Sequence, residues 1–417
     1  MTKVIHLSNG LPVIFIKNEG ARLAYLNVCF NVGSKDETVT EAGLAHAVEH
    51  FVFVGSEHYT QEEINSLPAQ FGSTIDAATD TDFTSFGFKV LKEHFVPMLD
   101  ILGDILLHPS FPSALIKKEI KVIKAEMAIS EENSDDERLE CNLHACFGID
   151  KRKSRVFGSQ KALDSFNSDR ARAFWEKYYT ASNCVVCLYA DKESYLKNIE
   201  NVLGKMRVNT LPARPSHCFR GKSYRASGLS SGVEINLMFE ANSPISVSDE
   251  LLSVVLGGNY NSRLYQALRY ERALIYSVSA DIDSYTCGNM FYISAECRPK
   301  DLSMVVSGIC RIITSVRSNL VEKTELDIAK EVAKTSLWAS FECPEDLVID
   351  TSEDFLLHRF TAMEEKLEQI EAVTPENIKA SAERIFSQRP SYGVIGDVGS
   401  SPTYSDVMTW LKLNPPQ

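Results

Sequence analysis

The sequence predicts an α+β fold of two similar domains arising from an internal duplication, each a mainly antiparallel sheet packed with helices. Three observations predict it. The chain has 417 residues, enough for two to three domains at roughly 150 residues each. A stretch rich in Pro, Gly and Ser, residues 208–232, divides it into nearly equal halves. The halves then repeat one order of elements at a period near 200 residues, far too long for a solenoid. The expected ranges are a first domain at 1–207, a linker at 208–232 and a related domain at 233–417.

Each half begins with an apolar strand, at 23–30 and at 233–239. Helical patterns follow from about residue 40, where Thr40 is a candidate cap, and from about residue 248. β-rich segments come next, at 84–90 and 274–295, then long amphipathic helices at 113–130 and 322–337. The first of these helices carries the stripe Ile116, Ile120, Ile123 and Met127, spaced four, three, four. A helix and a closing strand end each half, within 174–189 and 378–395. Gly257-Gly258 reads as a helix stop. At an offset of 325 − 119 = 206, residues 118–126 resemble 324–332. Under that offset His46, Glu49, His50 and Glu126 stand against Leu252, Val255, Leu256 and Val332. A polar set in the first copy is aliphatic in the second.

Composition narrows the function. Hydrophobic residues at 44% and charged residues at 24% exclude a disordered or fibrous chain. No apolar run nears the roughly 18 residues of a membrane span, and no signal peptide is evident, so no membrane partner is expected. The net charge, 43 − 56 = −13, argues against nucleic acid and anionic membranes. In Cys184-Val-Val-Cys187 a strand would send the two sulfurs to opposite faces, so both read as buried thiols. Reduced thiols without a targeting segment point to the cytoplasm.

His46-Ala47-Val48-Glu49-His50 carries the chemistry. On a helix, histidines four apart stack on one face and can hold one Zn²⁺ in adjacent tetrahedral positions. Glu49 sits on the same side, where a carboxylate can take a proton from water. H-x-x-E-H is the inverted zinc-peptidase order. A third ligand is needed, and the 113–130 helix offers Glu119 and Glu126, seven apart at the edge of its apolar stripe. On spacing alone the simpler reading is that both are solvated charges.

These motifs, with Leu7-Ser-Asn-Gly10, Val32-Gly-Ser34, Gly43-Leu-Ala-His46 and Phe53-Val-Gly-Ser56, make the chain similar to the pitrilysin/insulysin family of inverted zinc metallopeptidases. The likeness is to the small-subunit branch that includes mitochondrial processing peptidase and bacterial processing proteases. It implies Zn²⁺ held by His46, His50 and Glu126, since 126 − 50 = 76 is the family's interval. It also implies Glu49 as catalytic base and Glu119 as the supporting carboxylate. In the second half it implies Arg269 and Tyr276, seven apart, as substrate contacts. The expected protein is a zinc-dependent endopeptidase, a homodimer closing a clamshell cavity around peptides or unfolded segments. Alternatives are the catalytic subunit of a heterodimeric processing peptidase and a non-catalytic scaffold subunit. Two positions depart from the pattern: Asp76 stands where the family usually has Asn, and Ala273-Leu274-Ile275 lacks the usual Gly before Tyr276. His58, His94, His108 and His144 read as isolated surface or capping residues.

Overall fold

The computed structural model describes residues 2–130, 134–150, 155–210, 218–227, 232–396, 399 and 401–413, with backbone alone at 134–136. Parts of the expected linker, 211–217 and 228–231, lie outside the described residues.

The fold is α+β, with two sheets of one topology. The first is β1 (Thr2–His6), β2 (Pro12–Lys17), β3 (Leu23–Phe30), β4 (Asp76–Thr79), β5 (Thr84–Leu91) and β6 (Cys184–Ala190), in the order β1-β2-β6-β3-β5-β4. The second is β7 (Ser223–Ala226), β8 (Val233–Ala241), β9 (Ile275–Tyr285), β10 (Gly288–Cys297) and β11 (Ser391–Gly396), in the order β7-β11-β8-β10-β9. Adding five to each label of β2-β6-β3-β5-β4 reproduces the second order. Pair directions agree too: β2 with β6 and β7 with β11 are parallel, and the remaining pairs are antiparallel. Only β1, an extra hairpin strand, breaks the correspondence.

In the first unit α1 (Leu44–Val52), α3 (Phe95–Leu107) and α6 (Ser168–Tyr178) share one core with the sheet's inner face. α2 (Gln61–Gln70), α4 (Ser113–Ser130) and α5 (Ser134–Phe147) are the other long helices before α6 among the described residues. Phe30, Phe86, Phe88 and Phe95 lie in that core, and full burial of each such side chain contributes roughly 1.5–3 kcal/mol. α7 (Tyr195–Leu203) packs on α3. In the second unit α8 (Val247–Gly257), α9 (Leu302–Ser318) and α12 (Pro375–Phe386) do the same for the second sheet. α10 (Lys323–Glu342) and α11 (Pro344–Leu356) lie between α9 and α12 in sequence. Cys184 falls in the inner core and Cys187 in the cluster on the sheet's other face, as the alternation of β6 requires.

The units are not the contiguous ranges expected from the sequence. The first comprises Met1–Asn133, Arg152–Arg214 and Ser340–Phe360, and the second comprises Ser134–Lys151, Pro215–Ala339 and Thr361–Gln417. Each sheet has a second apolar face, and each is covered by a helix from the other half of the chain. α11 places Leu347 and Val348 against Cys29, Val185 and Cys187, and Ser352 accepts a hydrogen bond from buried Asn27 at 3.1 Å. α5 places Leu143, Cys146 and Phe147 against Met238 and Met290 of β8 and β10. The two helices hold equivalent places in their halves, following α4 and α10, so the exchange is reciprocal.

Candidate metal centre

The site is built on α1, and the chain fixes that helix firmly. The expected cap, Thr40, lies outside it. The N-cap is Gly43, left-handed at φ 92°, where a Cβ would sit 2.7 Å from the Phe157 carbonyl oxygen. Capping is done by Glu37 instead. Its carboxylate accepts from the Gly43 N–H at 2.7 Å and the Ala45 N–H at 2.6 Å, satisfying donors that a helix start leaves open. Glu37 is buried, and burial pushes its pKa up against the opposing pull of those two bonds.

On this helix His46 and His50 have ring centroids 4.6 Å apart. Glu126, from the last turns of α4, brings Oε2 to 3.3 Å from His50 Nε2 and 4.0 Å from His46 Nε2. One ligand atom from each of the three lies within 4.8 Å of the others. Among the described residues, this is the one such group of His, Cys, Asp and Glu. The stripe of α4 explains how Glu126 gets there: Ile116, Ile120, Ile123 and Met127 are all buried, which turns the Glu119 and Glu126 edge toward α1. Neither glutamate is a fully solvated charge; Glu119 has 17% of its side chain exposed and Glu126 has 39%.

Glu119 Oε1 lies 3.0 Å from His50 Nδ1. With Nδ1 donating to Glu119, Nε2 is the nitrogen that faces Glu126 and is free to serve a metal. Burial works against charge on His50, but Glu119, with Glu49 and Glu126 beside it, outweighs burial and raises its pKa. His46 is the opposite case: burial first, then the neighbouring His50, lowers it to about 3, so its imidazole is neutral at neutral pH. His46 Nδ1 is buried without a hydrogen-bond partner, and the ring packs on Phe157 at 4.8 Å. Two neutral-capable imidazoles and a carboxylate converging on one point, with a supporting carboxylate behind, fit a tetrahedral Zn²⁺ site with one open position.

Glu49 is 8% exposed, and its Oε2 accepts from the Thr79 hydroxyl at 2.6 Å. Burial raises its pKa against the effect of that bond. Thr79 and Glu37 are the site residues that motif reading misses. Both act through contacts that no local spacing encodes.

Arg269 and Tyr276 belong to the second unit. Arg269 lies in a π-helical segment, Gln266–Tyr270, and donates to the Ile275 carbonyl at 2.6 Å; Tyr276 is 55% exposed. Between them the chain closes with a left-handed cap, the Ala273 N–H bonding the Arg269 carbonyl, and the Leu274 N–H bonds the Leu268 carbonyl. Ala273 has φ 50°, the left-handed conformation that glycine adopts without strain. Ala273 is the first residue of the Ala273-Leu274-Ile275 stretch, where the resemblance implies a glycine shortly before Tyr276. In the same unit Leu252, Val255 and Leu256 are buried in the core, so no metal set stands at the equivalent of α1. Three of the four histidines read as isolated have partners: His58 Nδ1 lies 2.7 Å from Asp104, His144 Nδ1 2.9 Å from the Ile149 carbonyl oxygen and His108 Nδ1 3.7 Å from Glu57.

Residues 12–157 match the family described as Insulinase (Peptidase family M16), and residues 165–332 match the Peptidase M16 inactive domain. The chain is 26% identical over 414 residues to the uncharacterized zinc protease YmxG of Bacillus subtilis, covering 97% of this chain and 100% of that one. It is 27% identical over 410 residues to an uncharacterized zinc protease of Rickettsia bellii, covering 94% and 97%. Among solved structures, a protease from Helicobacter pylori superposes with a TM-score of 0.82 at 16% identity, covering 95% of this chain and 99% of that one. A structure from Pseudomonas fluorescens described as peptidase M16 inactive domain gives 0.84 at 17%, covering 96% and 100%.

Proposed function

Because the chain belongs to the insulinase family of peptidases, M16, we propose that it is a zinc-dependent endopeptidase acting on peptides or unfolded segments. The observation that carries this reading is the convergence of His46, His50 and Glu126 within 4.8 Å, beside a buried glutamate on the same helix. Zn²⁺ held by these three residues supplies Lewis acidity, lowering the pKa of water toward neutrality and polarising a carbonyl.

The chain's own groups do the rest. Glu49 takes the proton of the attacking water and passes it to the leaving amine. Thr79 holds its Oε2, so the proton is taken at the other oxygen, and the raised pKa makes Glu49 a stronger base. Glu119 fixes the tautomer of His50. Arg269 and Tyr276 bind and polarise the substrate carbonyl. The acting form is a homodimer. A scaffold role is disfavoured because every member of the metal set is kept.

Zinc content measured beside cleavage of a mixed peptide library tests the reading. Glu49→Gln should keep zinc and lose at least about 10²-fold in turnover, because an amide cannot accept the proton. Residual turnover near wild type by the zinc-loaded variant would remove Glu49 from this role.

A further inference from the structure

The face of the first sheet opposite the metal centre carries a cavity that the hydrolytic machinery does not use. It measures about 100 Å³ and lies where the cover of α11 ends, beside β5 and the edge strand β4. Small residues line it: Ala78, Ser85 and Gly87. Buried Asn27 forms its floor, and Tyr25, Val348 and Ile349 form apolar walls. Two carboxylates stand at its mouth. Asp76 is exposed, and Glu345 has 47% of its side chain exposed.

The charge there is incomplete. Lys89 binds Glu345 at 2.6 Å, and Asp76, after that bond, helps to raise the lysine's pKa. Among the described residues, Asp76 accepts only from the neutral Thr74 hydroxyl, at 3.1 Å. Two carboxylates thus face one cation. α11 carries further acids in Asp346, Asp350 and Asp354, and Arg359 pairs with Asp354. The field at the mouth is negative, and the walls suit a hydrocarbon stem.

Strand geometry says what reaches the cavity. Thr79 and Ala77 of β4 point to the α1 side, where Thr79 holds Glu49, while Asp76 and Ala78 point to the α11 side. A peptide laid along the free edge of β4 alternates its side chains in the same way, with neighbours directly across about 5 Å apart. A residue opposite Thr79 looks toward the metal centre. A residue an odd number of positions away looks into the cavity.

We propose that this cavity is a specificity subsite that takes a lysine or arginine side chain of the substrate, with Asp76 and Glu345 binding its cationic head. The proposal rests on the peptidase reading, and its test separates the two. Fluorescein-labelled peptides differing only by Lys or norleucine at each position are titrated by anisotropy against the Glu49→Gln protein, and the same peptides are offered to the wild type for cleavage. The Lys peptide should bind about tenfold more tightly at one position, odd in spacing from the residue opposite Thr79. Asp76→Asn should bring that ratio close to one, and Glu345→Lys should invert it toward a Glu peptide. Equal binding of Lys and norleucine peptides, a ratio indifferent to Asp76, or no binding at all would overturn the subsite. If the wild type cleaves nothing while the Glu49→Gln protein keeps the Asp76-dependent preference, the subsite stands and the hydrolytic reading falls.

Discussion

At the scale of single residues, the candidate metal centre is shaped by groups behind the His46, His50 and Glu126 cluster. Glu119 orients His50, and carboxylates that orient ligating histidines are commonly worth 10- to 100-fold in metal affinity. Glu119→Ala should lower zinc affinity by about that factor, read by competition with a chromophoric chelator, and excess zinc should restore turnover. Retained affinity would mean that His50 is oriented by something else. Ala273 carries a different kind of information. A non-glycine residue in the left-handed region costs roughly 1–2 kcal/mol, part of which glycine returns through its freer unfolded chain. Ala273→Gly should therefore stabilise the protein by about 0.5–1 kcal/mol, seen as a higher melting temperature. A lower one would mean that the methyl group packs usefully.

At the scale of elements, α11 is docked by apolar contacts and opposed by carboxylates. Burial pushes Asp80 up to about 6. Burial, then the charge of Asp80, pushes Glu353 up to about 7. Raised acids bind more protons folded than unfolded between the ordinary carboxylate range and these values. Their contribution to stability is therefore full at acid pH and lost as pH rises to about 7. Glu353→Gln should flatten the fall in melting temperature between pH 5 and pH 8, a difference on the order of 2 kcal/mol. An unchanged slope would place the titration elsewhere. The elements were unevenly legible in the sequence. The helix at 113–130 is legible because its apolar stripe, Ile116 to Met127, keeps a helical spacing and is buried throughout. The start of α1 was misplaced because Glu37 caps it from outside the helix, across a turn that carries no capping pattern. α5 and α11 went unassigned for another reason. An amphipathic pattern says that a face is buried but not against which sheet. The metal set was legible because two ligands share a helix face and the third follows at a family interval. Thr79 was not, because its contact with Glu49 exists only once β4 has paired.

At the scale of the whole molecule, the two halves share one topology but not one set of polar residues. The first unit has the metal set, and the second has Leu252, Val255 and Leu256 in its core and carries Arg269 and Tyr276. If two copies cooperate, Glu49→Gln chains mixed with chains carrying Arg269→Ala and Tyr276→Ala should regain activity. Free exchange makes about half of all dimers mixed, each with one working site, so recovery should approach roughly a quarter of wild type. No recovery, with exchange confirmed by mass, would mean that each chain builds its site alone. The reciprocal helix exchange bears on how such a chain is born. Its first sheet is complete by residue 190, yet the helix that covers its outer face begins at Pro344. At 5–20 residues per second a ribosome needs roughly 8–30 s to cross that interval. Throughout it Cys29, Val185 and Cys187 lack Leu347 and Val348, and α5 waits likewise for β8 and β11. The nascent first half is therefore an unfinished object, sticky on one side, whose completion is scheduled by translation itself.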